Sequence, residues 1–342
     1  MEDKKHILVT GGAGFIGSHT VVALFEKGFV PIIVDDLRNA QASVLDQLKE
    51  ITGHAPIHFP VDCCDKIALK KVFEQFTMAG IIHFAAYKAV GESVSKPLEY
   101  YQNNLLSLIN VLQLAEEFSV SNIVFSSSCT VYGEPENNII VDESFPIQAA
   151  NSPYGTTKIF GEKILSDYQA ASAHAKVICL RYFNPIGAHK SAKIGELPIG
   201  KPNNLVPYIT QTASGKLEKL TVFGNDYPTA DGSCIRDYIH VEDLADAHVH
   251  ALMYSSEKEN SFIEAINVGT GTGTSVLELI QLFEKVTGVK LNYVIGPRRE
   301  GDITAIFANN QKAKNILKWE PKRTLEESML SAWRWEQNNT QP

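Results

Sequence analysis

Tyr154 and Lys158, in the stretch Ser-Pro-Tyr-Gly-Thr-Thr-Lys, are the two residues whose types and spacing most directly suggest chemistry. Residues four apart on a helix project from the same face, so the phenol and the ammonium would lie together. A neighbouring positive charge favours the phenolate, which allows a tyrosine to act as a general base near neutral pH. An ordinary surface pair on an amphipathic helix has the same spacing, so the pair needs support from elsewhere in the chain.

A glycine turn near the N-terminus supplies such support. Gly11, Gly14 and Gly17 follow the apolar run 7–9 and open a helical pattern over 15–27. Glycines allow a tight turn and let backbone N–H groups approach a pyrophosphate at a helix N-terminus. A glycine triplet by itself also fits a structural turn, but its place between a strand and a helix is what dinucleotide binding requires.

Acidic residues end the second predicted strand. Asp35 lies 18 residues after Gly17 and is followed by Asp36. A carboxylate at this place accepts hydrogen bonds from a ribose and repels a 2′-phosphate, which favours NAD over NADP. A solvated acidic turn is the alternative, and it fits the end of a strand less well.

Further candidates follow other predicted strands, where ligands of open α/β sheets bind. Asp62 could contact an adenine, and the small residues of Phe84–Lys88 would permit close approach of a cofactor. Lys88 is also compatible with an ordinary surface lysine. Asn103 and Asn104 precede a helical pattern, where either could serve as an N-cap.

A serine cluster closes the fifth predicted strand. A hydroxyl that leaves a strand end, such as that of Ser128, can hydrogen-bond a substrate oxygen that gains or loses a proton. With Tyr154 and Lys158, it completes a hydroxyl–phenol–ammonium set.

Strand and helix patterns alternate through the first half of the chain. Continuous apolar strands separated by helices indicate a parallel sheet covered on both faces, which predicts an α/β fold with a doubly wound, Rossmann-type sheet. The predicted strands lie at 7–9, 30–34, 57–61, 81–85, 123–126, 176–181 and 236–241, and helices at 15–27, 105–118, 243–254, 275–287 and 325–337.

The composition of the chain changes after residue 184. Residues 185–235 are rich in Gly, Pro and Asn and are predicted to form long loops with short elements. We therefore expect a NAD-binding Rossmann domain over 1–184 with a return segment near 236–267. A smaller α/β substrate domain over 185–342 would be interleaved with it.

Composition limits the partners of this chain of 342 residues, whose net charge is −8. It has no basic run, so nucleic acid and anionic membranes are not expected to bind. The N-terminal stretch is too short and too acidic for a signal peptide, and no apolar stretch approaches the roughly 20 residues of a membrane span. The five cysteines show no C-x-x-C or metal-ligand spacing, which predicts no metal site and a reduced, cytoplasmic location.

Three motifs carry a resemblance to a known family: T-G-G-x-G-F-I-G at 10–17, S-S-S-x-T-V-Y-G at 126–133 and S-P-Y-G-x-x-K at 152–158. They resemble the extended short-chain dehydrogenase/reductases, among which the UDP-glucose 4-epimerase family is the most similar. The similarity extends over nearly the whole chain. The further segments that resemble that family are 88–93, 96–101, 181–185, 223–229, 236–241 and 297–302.

The resemblance implies Ser128, Tyr154 and Lys158 as the catalytic residues. The residues that it places around NAD are Gly11, Gly14, Phe15, Ile16, Gly17, Asp35, Asp36, Asn39, Asp62, Cys63, Phe84, Ala85, Ala86, Lys88, Asn103 and Phe183, together with the catalytic three. The residues that it places around a UDP-hexose are Asn184, Asn204, Leu205, Phe223, Arg236, Arg299 and Asp302, together with Ser128 and Tyr154. The arginines suit a diphosphate, which a guanidinium binds bidentately, although surface ion pairs are the alternative for any one of them.

The activity implied is the NAD-dependent interconversion of UDP-glucose and UDP-galactose at C4, through a transient 4-keto sugar. Tyr154 would take and return the 4-hydroxyl proton, and Ser128 would assist its movement. Lys158 would keep Tyr154 acidic and contact the nicotinamide ribose. NAD would supply the redox chemistry, and it need not leave because the net redox change is zero.

Other activities are weighed by the residues that they need. Nucleotide-sugar 4,6-dehydratases related to the family carry Asp-Glu directly after the catalytic hydroxyl residue, where this chain has Cys129 and Thr130. Neither is a carboxylate, which disfavours a dehydratase. A non-catalytic NAD-binding regulator would not need Tyr154, Lys158 and the arginines together.

Ile306 stands at a position that the family uses for sugar selection. The size of this pocket residue is thought to decide whether an N-acetylated sugar fits, and isoleucine is neither the bulky tyrosine nor the small cysteine of other members. UDP-glucose and UDP-galactose are favoured, and interconversion of UDP-GlcNAc and UDP-GalNAc stays open.

The resemblance also suggests a homodimer, formed through helices around 105–118 and 160–168. The apolar positions of these helices are equally compatible with packing inside one chain.

Overall fold

The computed structural model describes residues 5–135, 140–299 and 302–339. The elements of the first half are β1 (His6–Thr10), α1 (Phe15–Glu26), β2 (Val30–Val34), α2 (Ser43–Thr52), β3 (Ile57–Phe59), α3 (Lys66–Phe73), β4 (Met78–His83), α4 (Val90–Ser95), α5 (Pro97–Glu117), β5 (Asn122–Ser128), β6 (Ile140–Val141), α6 (Pro153–Ala171) and β7 (Lys176–Tyr182). The elements that follow are β8 (Asn184–Ile186), α7 (Leu205–Ala213), β9 (Leu220–Phe223), β10 (Ile235–His240), α8 (Val241–Ser256), β11 (Phe262–Val268), β12 (Gly273–Ser275), α9 (Val276–Thr287), β13 (Tyr293–Gly296), β14 (Ala305–Ala308) and α10 (Leu325–Asn338).

Seven parallel strands form the larger sheet, in the order β11-β7-β5-β4-β1-β2-β3. Because β1 lies between β4 and β2, the strand order reverses at β1. The carboxyl ends of β1 and β4 therefore flank the crevice in which open α/β sheets bind ligands. The predicted doubly wound parallel sheet is confirmed.

Apolar side chains cover both faces of this sheet. Along β1, Ile7 and Val9 pack into one cluster with α1 and α8, whereas Leu8 packs into the opposite cluster with α3 and α5. A strand covered on both faces is apolar at every position rather than at alternate ones, which explains its continuous apolar run.

A second sheet contains β12, β10, β14 and β6, and β8 also pairs with β10. A third apolar cluster, with residues of α7, α9 and α10, supports it. The chain first reaches the second sheet at β6, goes back to the larger sheet through α6, and crosses again from β7 to β8 through one buried residue, Phe183. It returns through α8, which follows β10 directly and packs against α1.

Several boundaries differ from the sequence prediction. The helix predicted at 105–118 begins earlier, at Pro97, since proline is well suited to the first turn of a helix. The region 185–235 contains the nine-residue helix α7, and β11 joins the larger sheet without having been predicted as a strand. In the described part of the chain, no helix combines the length and apolarity needed to cross a membrane.

Candidate active site

The glycine turn between β1 and α1 is built by close backbone contacts. Gly11 has φ +69°, and a Cβ there would lie 2.9 Å from the backbone nitrogen of Ala85. A Cβ on Gly17 would lie 2.1 Å from the carbonyl oxygen of Gly11, so only glycine lets α1 approach the turn. Gly14 is the N-cap and offers no side chain to the first N–H groups of α1. Phe15 and Ile16, half-buried, begin the helix.

Asp35 braces this turn from the end of β2. Its carboxylate accepts hydrogen bonds from the backbone N–H groups of Ala13 at 3.0 Å and Leu37 at 2.9 Å. Burial raises the pKa of the Asp35 carboxyl, and these two bonds oppose the rise. Each carboxylate oxygen accepts more than one hydrogen bond, so the group can also accept from a ribose.

A guanidinium that the sequence analysis did not single out joins the strand ends beside Asp35. Arg38 forms ion pairs with Asp36 and Asp62, and it donates to the hydroxyl of Tyr87 at 2.9 Å. Asn39, next to it, is exposed. These contacts bring together the ends of β2, β3 and β4, where the adenosine half of a dinucleotide was expected.

The segment after β4 is anchored by Asn104. The Asn104 side chain accepts from the N–H of Tyr87 at 2.8 Å and donates to the carbonyl of Tyr87 at 3.0 Å. It also donates to Thr157 Oγ1 of α6 at 3.1 Å. Neither Asn103 nor Asn104 caps a helix, because α5 already begins at Pro97. The segment containing Phe84, Ala85 and Ala86 is thereby fixed against the helix that carries Tyr154.

Ser128, Tyr154 and Lys158 are brought together by β5 and α6. Ser128 ends β5 and caps the 3₁₀ helix Cys129–Tyr132, accepting from the N–H of Thr130 at 3.2 Å. Tyr154 lies in the first turn of α6, and Lys158 lies one turn later. The Lys158 Nζ is 5.7 Å from the centre of the Tyr154 ring and donates to the Ser126 carbonyl at 2.6 Å.

The pKa shifts of Tyr154 and Lys158 differ from the expectation that Lys158 makes Tyr154 more acidic. Burial, and then the nearby Tyr182, raise the pKa of Tyr154 above its ordinary value, while a hydrogen bond with Ser128 acts in the opposite direction. Burial lowers the pKa of Lys158 to about 7, and Glu162 opposes that fall. Same-face spacing was a sound guide to proximity, but burial is the largest cause of the pKa shift at both groups.

A buried polar network continues inward from Lys158, next to the predicted catalytic residues. Glu162, one turn after Lys158 on α6, accepts from Arg181 Nη2 at 2.6 Å and Nε at 2.9 Å. It also accepts from Ser127 Oγ at 2.5 Å. We call Ser127, Lys158, Glu162 and Arg181 the catalytic floor. It links the carboxyl ends of β5 and β7 with the N-terminal half of α6.

Sequence reasoning missed Glu162 as a site residue, although two signals were present. Its i+4 spacing from Lys158 places it on the same helix face. Arg181 is a charged residue inside a predicted apolar strand, and such residues are almost never buried unless paired.

Four residues expected to hold the sugar nucleotide lie near one another, and we call them the substrate rim: Phe223 at the end of β9, Arg236 on β10, and Arg299 and Asp302 between β13 and β14. Asp302 accepts from Arg299 Nη2 at 2.6 Å and Nε at 3.2 Å, and lies 3.7 Å from Arg236 Nη2. The Arg299 guanidinium is 5.6 Å from the centre of the exposed Phe223 ring. The neighbouring Glu300 and Gly301 of the resembling segment 297–302 lie outside the described residues.

The remaining predicted residues fall at different depths. Asn184, half-buried, begins β8, and Asn204, exposed, precedes Leu205 at the start of α7. Lys88, exposed after β4, donates to Glu196 at 3.0 Å. Cys63 is buried in the core beside β3, and burial raises the pKa of its thiol.

Ile306 is buried next to the 3₁₀ helix that follows Ser128. It packs with Val131, Tyr132 and Phe183, and it lies opposite Arg236 in the pairing of β14 with β10. Cys129 follows Ser128 directly, and burial raises the pKa of its thiol to about 12. This position therefore presents a neutral thiol rather than a carboxylate. Among the described residues, no group of three or more His, Cys, Asp or Glu side chains is placed to hold a metal ion.

These features together fit a dinucleotide. The turn is closed to any side chain at Gly11 and Gly17, and the N-terminal N–H groups of α1 point from an uncapped end. Such an end suits a pyrophosphate. The fold and site define a nucleotide-dependent enzyme of the doubly wound type.

The chain belongs to the NAD dependent epimerase/dehydratase family, whose model matches residues 7–269. It is 51% identical over 333 residues to the UDP-glucose 4-epimerase of Bacillus subtilis (strain 168), covering 97% of each chain.

Two solved structures show the same fold over almost the whole chain. One is a UDP-glucose 4-epimerase from Stenotrophomonas maltophila with bound NAD and formylated UDP-arabinopyranose, with TM-score 0.95, 44% identity and coverage of 98% and 99%. The other is a UDP-glucose 4-epimerase from Bifidobacterium longum in complex with NAD+ and UDP, with TM-score 0.94, 42% identity and coverage of 98% and 99%.

Proposed function

We propose that this chain interconverts UDP-glucose and UDP-galactose by NAD-dependent epimerisation at C4, through a transient 4-keto sugar. The observation that carries the proposal is the meeting of Ser128, Tyr154 and Lys158 beside a dinucleotide-type glycine turn. The similarity to UDP-glucose 4-epimerases over 97% of the chain supports it.

The residues that would hold NAD are the glycine turn, Asp35, the Arg38-linked acids Asp36 and Asp62, and the segment after β4. The N-terminus of α1 would receive the pyrophosphate, and Asp35 the ribose. Bound NAD supplies a hydride acceptor for C4 and a hydride donor to the opposite face of the keto sugar.

The protein's own part in the reaction is proton transfer and positioning. Tyr154 takes the 4-hydroxyl proton when C4 is oxidised and returns it when C4 is reduced, so the protons balance over one cycle. Ser128 hydrogen-bonds the same sugar oxygen and steadies it. Because burial raises the pKa of Tyr154, the phenolate needs a nearby positive charge, which Lys158 supplies while protonated.

The substrate rim would bind the diphosphate. Arg299 and Arg236 share Asp302, and a diphosphate would offer each guanidinium a second set of acceptor oxygens. Firm binding of the UDP leaves the hexose free to turn, which both half-reactions require. Asn184, Asn204, Leu205 and Phe223 complete the proposed UDP-sugar site.

The domain division and the assembly belong to the proposal as well. The cofactor domain comprises 1–184 with the return segment 236–267, and the substrate domain comprises the remainder of 185–342. A homodimer through α5 and α6 is supported by the exposed apolar side chains of Leu98, Leu106, Ile109 and Phe160. The five free cysteines agree with a reducing cytoplasm.

Epimerisation of the N-acetylated pair is the second candidate. The one feature in its favour is Ile306, because an isoleucine is smaller than the tyrosine of other members and leaves more room for an N-acetyl group. It is tested by assaying UDP-GlcNAc alongside UDP-galactose at equal concentrations.

The experiment for the main proposal is direct. Purified protein is mixed with UDP-galactose without added NAD, and UDP-glucose is measured by NMR. We expect the two sugars to approach equilibrium. Conversion that stops unless stoichiometric NAD is supplied contradicts the mechanism.

A further inference from the structure

The Glu196 carboxylate receives donors from both halves of the molecule. It lies on the connection between β8 and α7. Lys88 Nζ, from the segment after β4, donates to Glu196 Oε1 at 3.0 Å. Asn204 Nδ2, at the start of α7, donates to the same oxygen at 2.5 Å. A residue expected beside the cofactor and a residue expected beside the UDP-sugar therefore share one acceptor.

The backbone around Glu196 is held from behind by the C-terminal helix. Trp335 Nε1 of α10 donates to the Glu196 carbonyl at 3.0 Å. A Cβ on Gly195 would lie 2.5 Å from Trp335 Cδ1, so the chain lies flat on the indole. The Glu196 side chain is 10% exposed, against 51% for Lys88. Glu196 is the fixed member of the group, and it orders the more exposed lysine.

The two donors keep hydrogen-bonding capacity while they contact Glu196. An ammonium has three N–H groups and a carboxamide has two, so each retains at least one for a ligand oxygen. A free lysine side chain loses rotamer freedom when a ligand orders it, and the contact with Glu196 restricts Lys88 before ligands bind.

We propose that Glu196 is a positioning residue that couples cofactor binding to UDP-sugar binding by holding Lys88 and Asn204 together. The inference rests on the proposed function, which places Lys88 beside the dinucleotide and Asn204 beside the UDP group. Coupling between two binding sites is reciprocal, so UDP strengthens the binding of NAD and NAD strengthens the binding of UDP by the same factor. Slower release of NAD in the presence of UDP would report the tighter binding.

The test uses Glu196→Gln and a matched control, Lys193→Met. Lys193 lies on the same connection and forms an exposed ion pair with Glu50 across to the cofactor half. Each protein is purified with its cofactor, and UDP binding is measured by calorimetry. Release of NAD is followed by fluorescence with and without UDP.

We expect Glu196→Gln to weaken UDP binding about tenfold and to remove the effect of UDP on NAD release. The KM for UDP-galactose should rise by a larger factor than kcat falls. A merely structural defect would instead lower the melting temperature without a larger effect on KM than on kcat. Lys193→Met should match the wild type in both measurements.

Lys88→Met keeps the test valid even where Glu196→Gln folds poorly, since it should also abolish the effect of UDP on NAD release. Glu196→Gln added to Lys88→Met should then change little further. Wild-type UDP affinity and NAD release in Glu196→Gln, or fully additive effects in the double variant, would overturn the inference. Failure of the proposed function is a different result, because the wild type itself would then not scramble C4.

Discussion

The catalytic floor and the substrate rim hold positive charge in opposite ways. In the floor, Lys158 is 4% exposed, and Arg181 is buried against Glu162 through two hydrogen bonds. In the rim, the Arg299 side chain is 57% exposed and meets Asp302. An uncompensated buried charge is far more costly than an exposed one. The floor is therefore fixed by folding, whereas Arg299, unlike Arg236 at 16% exposed, is open enough to exchange a protein carboxylate for the phosphate of the proposed ligand.

The comparison separates two tasks that one site must perform. In the proposed mechanism a reacting oxygen meets the same phenol in both half-reactions, which requires a floor that does not move. In the same proposal the hexose turns between the half-reactions, which requires that binding be concentrated on the nucleotide, the part assigned to the rim. Substitutions in the two regions should accordingly affect different measurements.

The largest expected effect is that of Tyr154→Phe. Removal of the proton-transfer group should lower kcat by about 10³-fold, within the range of general acid–base catalysis, with NAD content unchanged. Tyr168→Phe on the same helix, where the hydroxyl contacts Glu116 at 3.0 Å on the surface, is the control and should retain activity. Equal activity in both variants would remove Tyr154 from the mechanism.

Next in size is the stability of the floor. Glu162→Gln leaves Arg181 charged and buried, and should lower the free energy of unfolding by about 3 kcal/mol. Asp167→Asn breaks an exposed i,i+4 pair with Lys163 on the same helix, and should cost no more than about 0.5 kcal/mol. Urea denaturation measures both. Similar losses in the two variants would show that the floor is no more fixed than the surface.

A buried histidine beside the floor predicts acid sensitivity. His83 donates or accepts at 2.8 Å with Thr10 Oγ1, and burial lowers the pKa of its imidazole to about 3. The unfolded chain binds a proton at this histidine near pH 6.5. The stability that neutral His83 contributes is therefore fully present above that pH and is lost as the pH falls towards 3.

The loss from His83 at pH 5 should be about 2 kcal/mol relative to neutral pH. His83→Gln should therefore show a shallower fall of unfolding free energy between pH 7 and pH 5 than the wild type. The exposed His54 is the control position for the same substitution. Parallel curves for the wild type and His83→Gln would contradict the assignment.

The smallest expected effect belongs to the rim. Arg299→Met should weaken UDP binding about tenfold, and the difference from the wild type should shrink in high salt because the group is exposed. The neighbouring Arg298, paired with Asp226 at 2.8 Å, gives a matched control in Arg298→Met. A salt-independent loss would place Arg299 in a buried setting like that of the floor.

The sequence predicted the parts of the site that depend on local pattern. The glycine turn, Asp35 and the Tyr154–Lys158 pair all follow from spacing along one strand or helix. The meeting of Arg236 with Asp302 depends instead on the pairing of β10 with β14, about 70 residues apart, and only the resemblance indicated it. Periodicity carries no information on such long-range pairing.

The pKa of Tyr154 was mispredicted for a different reason. Helical spacing places Lys158 beside the phenol, but it gives no measure of how much water both groups lose when α6 packs on β5. Burial decides the direction of the shift, and burial is a property of the whole fold.

Phe183 has a consequence for how the cleft can open. It is the only link between β7 and β8, and it is buried, so bending at this point would bring an aromatic ring into water. α8 follows β10 with no intervening residue, so the connection back to the larger sheet also has no loop in which to bend. At these two crossings the sheets are thus held close together, whereas the crossings from β5 to β6 and from β11 to β12 span longer stretches of chain and leave more freedom between the sheets.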